Sequence, residues 1–355
     1  MNLNELRKHI DAIDSQIIDL LNQRADLVHE VGQTKKANGL SIYAPEREDA
    51  LLRKLVEKSK GRLGNGAIRA IYREIMSASL ALEKDLTIAY LGPEATWTHQ
   101  AARSRFGASV NYSAQVNIND VFNQVARNKA DYGVVPIENS TEGAVNYTLD
   151  AFMESELRIC AQILLKIENN LIAKIPKEEI QKIYSHPQVF GQCRIWLEQH
   201  LPRVDLIEVS STTRAAELAA TEPHAAALAG RMAAEVYGLD ILEASVQDNP
   251  NNTTRFLVIS HTTCPPTGND KTSIMFCVRD KPGALFAALE PFSRLGISMS
   301  KIVSRPSKRK AWEYYFFVDL EGHYEDPGLA TALEDLESYC SFVKILGSYP
   351  KTAAA

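Results

Sequence analysis

The stretch TIAYLGPEATWTHQAARSRF, residues 87–106, is where the pattern of the chain changes. TIAYL is a short apolar run typical of a buried strand, and Gly92-Pro93 is typical of a turn. The part that follows, THQAARSRF, has the character of a helix. A strand, a turn and a helix in succession indicate an α/β unit, so we expect an α/β domain to begin close to Thr87.

The sequence before this stretch has no strand pattern. Apolar residues at spacings of three and four predict one long helix that ends near Asn38. A second helix opens at Pro45, and a third follows the glycine-rich segment 61–66 and runs from Ala67 to about Lys84. Because one helix is much longer than the others, a monomer would leave it uncovered. We therefore expect dimerisation to bury the long helix.

After the opening stretch, strand-like and helix-like segments alternate over about 175 residues, which indicates an α/β domain with a mostly parallel sheet. In such sheets, ligands bind at the loops beyond the carboxyl ends of the strands. The linker HTTCPPTGND (261–270) is followed by a βαββαβ pattern, which is ferredoxin-like. The predicted fold is therefore multidomain, with an all-α domain (1–85), an α/β domain (86–262) and an α+β domain (271–350).

Composition excludes several classes of protein. The chain has 39 basic and 44 acidic residues, a net charge of −5, so we expect no nucleic-acid partner. The start MNLNELRKHI lacks the apolar core of a signal peptide, and no run approaches membrane-spanning length. Five scattered cysteines without a CxxC pair favour a reducing, cytoplasmic setting. We expect no cofactor and no metal, because the sequence has neither a glycine-rich nucleotide loop nor a cluster of metal ligands.

Two cations interrupt the apolar stripe of the long helix. Arg24 and Lys35 share one face with Val28 and Val31. Each could simply extend its stem over apolar surface and its charge into water, but two together favour an anion site. Arg7 lies about 25 Å from Arg24 along a helix, so one helix cannot bring both to one small ligand, whereas a symmetric antiparallel dimer could.

Four segments of this region carry a family resemblance. LRKHIDAIDSQIIDLLNQR, VHEVGQTKK, YAPERE and REIMSASLALEK resemble the all-helical chorismate mutase domain over nearly all of residues 1–85. The resemblance implies a Claisen rearrangement of chorismate to prephenate. Such an enzyme holds a flexible dicarboxylate in a compact conformation and stabilises the charge that develops on its ether oxygen.

The resemblance also implies roles for individual side chains. Substrate carboxylates would be bound by Arg7 of the neighbouring subunit, Arg24 and Arg47. The ether oxygen would be contacted by Lys35 and Glu83, and the substrate hydroxyl by Glu48. Ser79 would also bind the substrate. The bacterial pattern has Gln where this chain has Glu83. A carboxylate cannot donate a hydrogen bond, so we expect Glu83 to be protonated in the working site.

The α/β region contains five polar runs at the ends of predicted strands. They are GPEATWTHQAA (92–102), VPIENSTEG (135–143), YSHPQ (184–188), SSTTRAAE (210–217) and NNTTRF (251–256). Any one of them could be an ordinary helix cap. Five in one domain favour a cleft lined by hydroxyls and amides, which suits a carboxylate ligand.

Together these runs resemble prephenate dehydratase over about residues 86–262. The resemblance implies two α/β lobes, like those of type-2 periplasmic binding proteins, with the active site between them. The reaction removes carbon dioxide and the ring hydroxyl from prephenate and gives phenylpyruvate. The family pattern has Gly and Phe where this chain has Ala95 and Trp97, so the backbone of that loop is expected to differ.

Within the resemblance, Thr254 is the essential residue and the expected proton donor. Arg255 would support a substrate carboxylate or organise the loop, and Phe256 would anchor the strand. His186 is an alternative acid, although His-Pro after a strand is also typical of a turn. The other expected cleft residues are Thr96, Thr98, Glu138, Asn139, Ser140, Gly143, Ser185, Gln192, Ser211, Thr212 and Asn252.

The C-terminal region contains PGALF (282–286) and VSRP (303–306), which resemble the ACT regulatory domain. This resemblance implies that L-phenylalanine binds between paired domains and inhibits the enzyme. Val303 stands where the family usually has Glu. The expected effector-binding residues are Gly283, Ala284, Leu285, Ser304, Arg305 and Pro306.

The three resemblances together imply a bifunctional enzyme of L-phenylalanine biosynthesis, and we expect it to form a homodimer or a higher homo-oligomer. Its expected partners are chorismate, prephenate and L-phenylalanine. Two alternatives remain from the sequence: a dehydratase that prefers arogenate, and a non-catalytic protein that binds or senses an amino acid. The absence of an export signal weighs against solute capture, and the intact Thr254-Arg255-Phe256 triplet weighs against a pure sensor.

Overall fold

A computed structural model describes residues 2–39, 41–308, 310 and 312–352 of the 355-residue chain. The chain divides into two compact units. The first comprises residues 1–87 and 106–111, and the second comprises residues 88–105 and 112–355. No helix among the described residues is both long enough and apolar enough to cross a bilayer.

The first unit contains the three predicted helices, α1 (Leu3–Ala37), α2 (Pro45–Lys58) and α3 (Asn65–Glu83). The side chain of Asn2 accepts a hydrogen bond from the backbone of Glu5, and the side chain of Glu5 accepts one in return. This capping box fixes the start of α1. The helical prediction is confirmed, since helical periodicity depends only on residues close together in sequence.

Helix α1 leaves most of its apolar residues uncovered. Gly32 is the only buried residue in its described length. Large apolar side chains on the helix are exposed, including Leu6, Ile10, Ile13, Ile17 and Leu27. A single chain therefore does not supply the surface that this stripe requires.

The remaining elements follow in chain order. The strands are β1 (Thr87–Leu91), β2 (Asn111–Gln115), β3 (Tyr132–Asn139), β4 (Gly143–Ala144), β5 (Arg158–Lys166), β6 (Asn170–Ala173), β7 (Lys182–Ser185), β8 (Asp205–Glu208), β9 (Ala225–Ala229), β10 (Asp240–Glu243), β11 (Thr253–Ser260), β12 (Asp270–Val278), β13 (Met299–Pro306), β14 (Tyr314–Glu321) and β15 (Cys340–Pro350). The helices are α4 (Trp97–Phe106), α5 (Ile118–Ala126), α6 (Asn146–Glu154), α7 (Pro187–Gln192), α8 (Arg194–His200), α9 (Thr212–Thr221), α10 (Arg231–Tyr237), α11 (Ala284–Arg294) and α12 (Pro327–Tyr339).

Two mixed sheets form the two α/β lobes. The first lobe has the strand order β2-β1-β3-β11-β5, and the second has β10-β6-β9-β7-β8. In the first lobe, β1 pairs with β3 in parallel, but β11 is antiparallel to both β3 and β5. In the second lobe, β7 is parallel to both β8 and β9, but β6 is antiparallel to both β9 and β10. The predicted mostly parallel sheet is therefore wrong. The chain reaches strand β11 from the other lobe. A helical crossover between two strands of one sheet, which would make them parallel, is therefore not what determines the direction of β11.

The chain passes between the lobes twice, once between β5 and β6 and once between β10 and β11. The two crossings are hydrogen-bonded to each other. The amide of Ile167 donates to the carbonyl of Asn252 over 2.8 Å, and the amide of Val246 donates to the carbonyl of Asn169 over 2.8 Å. These paired segments form the hinge between the lobes.

The third sheet has the antiparallel order β13-β14-β12-β15. Helices α11 and α12 pack on it around a core that includes Phe276, Ala288, Phe292 and Leu336. The βαββαβ prediction for this region is confirmed. The domain boundaries drawn from the sequence stay a prediction.

Candidate active sites

The helical unit contains a cavity of about 260 Å³. Its walls come from all three helices and from the segment before α2. The lining residues are Arg24, Leu27, Val28, Val31, Lys35, Ile42, Ala44, Arg47, Glu48, Leu51, Met76, Ser79, Leu80 and Glu83. Six of the residues that the sequence singled out in this unit meet here, three of them cationic, so the cavity is suited to an anionic ligand.

Polar contacts hold the side chains of this cavity in place. Nη1 of Arg24 donates to Oγ of Ser79, which donates in turn to the carbonyl of Ile75 over 2.8 Å. Nζ of Lys35 donates to the carbonyl of Ile42 over 2.6 Å and lies 3.3 Å from Oε2 of Glu83. The arginine and the lysine therefore point inward rather than simply covering apolar surface.

Gly32 permits the close approach of α1 and α3 beside this cavity. A Cβ atom at Gly32 would lie 2.9 Å from Cγ of Glu83. The sequence analysis missed this residue, although an isolated glycine inside a strongly helical pattern is a usable signal. Arg7 is exposed and lies outside the cavity, on the same helix as Arg24.

In the second unit, Thr254 of β11 pairs in register with Asn139 of β3. Because the strands are antiparallel, the beginning of β11 reaches the same edge of the sheet as the end of β3. Nδ2 of Asn139 donates to Oγ1 of Thr254 over 2.8 Å and to Oδ1 of Asn252 over 2.7 Å. The Thr254 hydroxyl is thus an acceptor here, and its own hydrogen has no acceptor among the residues that the structure describes.

A row of side-chain amides continues from Thr254 towards the second lobe. Nδ2 of Asn252 donates to Oε1 of Gln192 over 3.2 Å, and Nδ2 of Asn169 donates to the same oxygen over 3.3 Å. The row joins the hinge, since Asn169 lies in one crossing and Asn252 in the other. Asn169 was missed because nothing in its local sequence marks a hinge.

Other residues predicted for the cleft use their polar atoms on the backbone. Nδ1 of His186 accepts from the amide of Gln188 over 3.3 Å at the start of α7, as the turn alternative predicts. Ser185 is buried and donates to the carbonyl of Leu228 over 2.8 Å. Ser211 caps α9, and Thr212 is buried in its first turn.

Residues near the ends of β3 and β11 organise the same edge. Oγ of Ser140 donates to the carbonyl of Asn251 over 3.1 Å and accepts from the amide of Thr253 over 3.0 Å. Gly143 has a φ of 85° and pairs with Asn139. A positive φ of this size favours glycine, which accounts for the residue at that position.

The loop before α4 brings the two lobes together. Ala95 has a φ of 62°, so it adopts the left-handed conformation that favours glycine. Its amide donates to Nδ1 of His99 over 3.1 Å, and burial lowers the pKa of that imidazole. A Cβ atom at Gly230 would lie 2.7 Å from the ring of Trp97, so this loop packs directly on the second lobe. Thr96 donates to the carbonyl of Leu91 over 3.0 Å, and Thr98 is buried.

Comparisons with known proteins agree with this geometry. Family models described as chorismate mutase type II, prephenate dehydratase and ACT domain match residues 6–84, 88–264 and 272–338. A bifunctional chorismate mutase/prephenate dehydratase of Aquifex aeolicus is 50% identical over 98% of this chain and 98% of its own. One of Neisseria gonorrhoeae is 46% identical over 97% of this chain and 96% of its own.

The chain belongs to the bifunctional chorismate mutase/prephenate dehydratase family. It is an enzyme with both activities. Among solved structures, prephenate dehydratase from Arthrobacter aurescens in complex with L-Phe is similar, with a TM-score of 0.71 and 34% identity over 76% of this chain and 92% of that one.

The Thr-Arg-Phe triplet of the dehydratase divides between two faces of its strand. The hydroxyl of Thr254 contacts Asn139, whereas the side chain of Arg255 is buried on the other face. Its Nη1 lies 2.8 Å from Oε1 of Glu138 and 2.5 Å from Oδ2 of Asp319 in the ACT domain. Phe256 is 1% exposed and anchors the strand in the core.

In the ACT domain, Gly283 is the N-cap of α11 and has a φ of 76°, and the buried Ala284 begins the helix. Arg305 makes a two-pronged contact with Asp150 of α6, through Nη2 distances of 2.7 and 2.8 Å. This guanidinium therefore joins the ACT sheet to the dehydratase. Val303 packs against the core of the first lobe. Ser304 and Pro306, on either side of Arg305, are exposed.

Proposed function

We propose that the two reactions use two separate sites, with chorismate rearranging in the helical cavity and prephenate reacting beside Thr254. Arg24 and Arg47 present guanidinium groups that can each grip a carboxylate through two parallel hydrogen bonds. Lys35 is suited to donate to the ether oxygen as its negative charge develops. Apolar side chains make up the rest of the cavity wall, and less polar surroundings strengthen these interactions.

A second copy of the chain is proposed to complete the mutase site. The exposed apolar stripe of α1 supports an antiparallel pairing of two such helices. In that arrangement Arg7 of one subunit approaches the cavity of the other. The proposed oligomer is therefore at least a homodimer.

At the dehydratase site, Thr254 is proposed to donate its hydroxyl hydrogen to the departing ring hydroxyl. The bond from the ring carbon to oxygen breaks, water leaves, and solvent returns a proton to the Thr254 oxygen. The electron pair of the breaking bond to the carboxylate forms the aromatic ring, and carbon dioxide departs. The observation that carries this role is the Asn139 contact, because a hydroxyl that accepts from an amide keeps its own hydrogen for the substrate.

One assay tests this assignment. The full chain is supplied with chorismate, and prephenate and phenylpyruvate are followed separately. Thr254→Ala should lower the dehydration rate by about a hundredfold, because a positioned proton donor contributes that much. The rate of prephenate formation should stay unchanged.

Two matched variants serve as controls. Thr254→Ser keeps a hydroxyl and should retain most of the dehydration rate. Thr253→Ala alters the neighbouring threonine and should have little effect. Full dehydration by Thr254→Ala would exclude Thr254 as the donor.

We also propose that L-phenylalanine regulates the dehydratase through the ACT domain, around Gly283, Ala284 and Leu285. Support comes from the solved relative that was crystallised with L-Phe and from the left-handed Gly283, where the backbone can approach a small ligand closely. The same assay, titrated with L-phenylalanine, tests the idea. An unchanged dehydration rate together with no detectable binding would exclude it.

A further inference from the structure

A cluster of buried charges joins the dehydratase to the ACT domain directly behind Thr254. Arg255 and Glu138 come from the first lobe, and Lys301, Asp319 and Tyr349 come from the ACT sheet. Nη2 of Arg255 donates to the Tyr349 hydroxyl over 2.7 Å, and Nζ of Lys301 lies 2.8 Å from Oε2 of Glu138. Together with the Arg255 contacts to Glu138 and Asp319, these link two cations and two carboxylates in a chain that runs from Lys301 to Asp319.

Arg255 and Glu138 of the cluster lie on the same two strands as Thr254 and Asn139. Thr254 pairs in register with Asn139, and Arg255 pairs with Glu138. Successive side chains of a strand point to opposite faces. One face therefore carries the proposed donor, and the other carries its attachment to the ACT sheet.

The pairing of β11 with β3 is irregular at this place. Its register shifts between Arg255 and Phe256. Such bulges re-aim side chains beside active sites and bend the strand locally. The direction of the Thr254 hydroxyl thus depends on what holds the bulged segment, and the Arg255 side chain is fixed at that point.

Hydrogen bonds within the ACT sheet fix the far end of the cluster. Oγ of Ser273 donates to Oδ1 of Asp319 over 2.5 Å and lies 2.6 Å from the Tyr349 hydroxyl. Asp319 is 6% exposed and Tyr349 is fully buried. Loss of one member leaves a buried charge without its partner, so the arrangement tolerates little displacement.

We propose that Asp319 and Tyr349 of the ACT domain are positioning residues for prephenate dehydration, which act by holding Arg255 and, through it, the Thr254 hydroxyl. The role rests on the proposed function of Thr254 as proton donor. The ACT sheet thereby forms part of the support of the dehydratase site, in addition to any effect of a bound amino acid.

The first test is Asp319→Asn in the full-length protein. A small misplacement of a reacting group can cost up to a hundredfold in rate. We expect kcat for dehydration to fall by at least about tenfold, with KM changed less than about twofold. The mutase rate, measured on the same sample, should stay unchanged.

Glu321→Gln is the matched control. It removes a carboxylate from the same strand, but one that pairs with Lys351 over 2.8 Å instead of Arg255. It should leave both rates as they are. A wild-type kcat for Asp319→Asn would overturn the inference.

The double variant Thr254→Ala/Asp319→Asn tests the route. If Asp319 acts through Thr254, the second change should lower kcat no further once the hydroxyl is gone. If adding Asp319→Asn to Thr254→Ala lowers kcat by as much as Asp319→Asn does in the wild type, the inference is overturned. Thr254→Ala alone reports separately on the donor, since a fully active Thr254→Ala contradicts the proposed function whatever Asp319→Asn does.

Tyr349→Phe covers the case in which Asp319→Asn does not fold. It removes only the hydroxyl that Arg255 contacts and keeps the ring. We expect kcat for dehydration to fall by about tenfold, in line with the loss of one hydrogen bond to a charged group. An unchanged kcat in this variant would count against the role of the cluster.

Discussion

Glu83 is the residue of the mutase cavity that stands in place of the Gln of the bacterial pattern. Its carboxyl oxygen lies 3.3 Å from Nζ of Lys35 at the wall of the cavity, and the family resemblance implies that both residues contact the ether oxygen. A carboxyl group donates a hydrogen bond only when it is protonated, whereas an amide donates at any pH. We therefore expect the pH profile of the mutase rate to differ between the wild type and Glu83→Gln.

The measurement is the pH profile of prephenate formation for the wild type and for Glu83→Gln. Glu74→Gln is a suitable control, because Glu74 belongs to the same helix but does not line the cavity. Identical profiles for the wild type and Glu83→Gln would show that residue 83 is not a hydrogen donor in this reaction.

In the Thr-Arg-Phe triplet, the directions of neighbouring side chains could not be predicted from the sequence. The triplet could be recognised, but not the opposite directions of Thr254 and Arg255. Two of the contacts of Arg255 lie 64 and 94 residues further along the chain, at Asp319 and Tyr349. No local sequence pattern indicates partners this far away. The burial of Arg255, which the sequence analysis had placed near the substrate, therefore became clear only from the structure.

At the scale of elements, helices could be predicted from residues close together in sequence, whereas strand pairing depends on residues far apart. The three N-terminal helices follow from apolar periodicity, the proline at the start of α2 and the cap at Asn2. The sheets could not be predicted in the same way. The direction of β11 depends on its return from the other lobe, and that path is a property of the whole chain.

Helix α1 carries a prediction of its own. Ile17→Asp places a charge in the exposed apolar stripe, where burial against a second copy would then cost several kcal/mol. We expect the variant to dissociate to monomers and to lose most mutase activity, because Arg7 of the partner no longer reaches the site. Dehydration should remain.

Sedimentation or light scattering reports the assembly state, and the two product assays report the activities. Ser15→Asp is the control, since Ser15 lies on the opposite face of the helix from Ile13 and Ile17. A monomer with full mutase activity would contradict the shared site.

At the scale of the molecule, ion pairs attach the ACT domain to the first lobe. Asp150 of α6 contacts both Arg305 and Lys308 of the ACT region, the latter over 2.8 Å. Burial acts to raise the pKa of Asp150, but the hydrogen bonds and charges of Lys308 and Arg305 outweigh it and lower the pKa below its ordinary 3.8. The carboxylate thus stabilises the folded chain above that pH. The contribution is lost as the pH falls through the lower pKa of the folded state.

Asp150→Asn should accordingly reduce stability at neutral pH by about 1 kcal/mol, the upper end for partly exposed pairs. The difference from the wild type should shrink as the pH falls below 3.8, where the wild-type carboxyl is itself becoming protonated. Urea unfolding at a series of pH values measures both effects. Asp205→Asn, at an exposed position of β8, should follow the wild type throughout. A constant difference between Asp150→Asn and the wild type across the series would mean that the side chain stabilises the fold by packing and not by its charge.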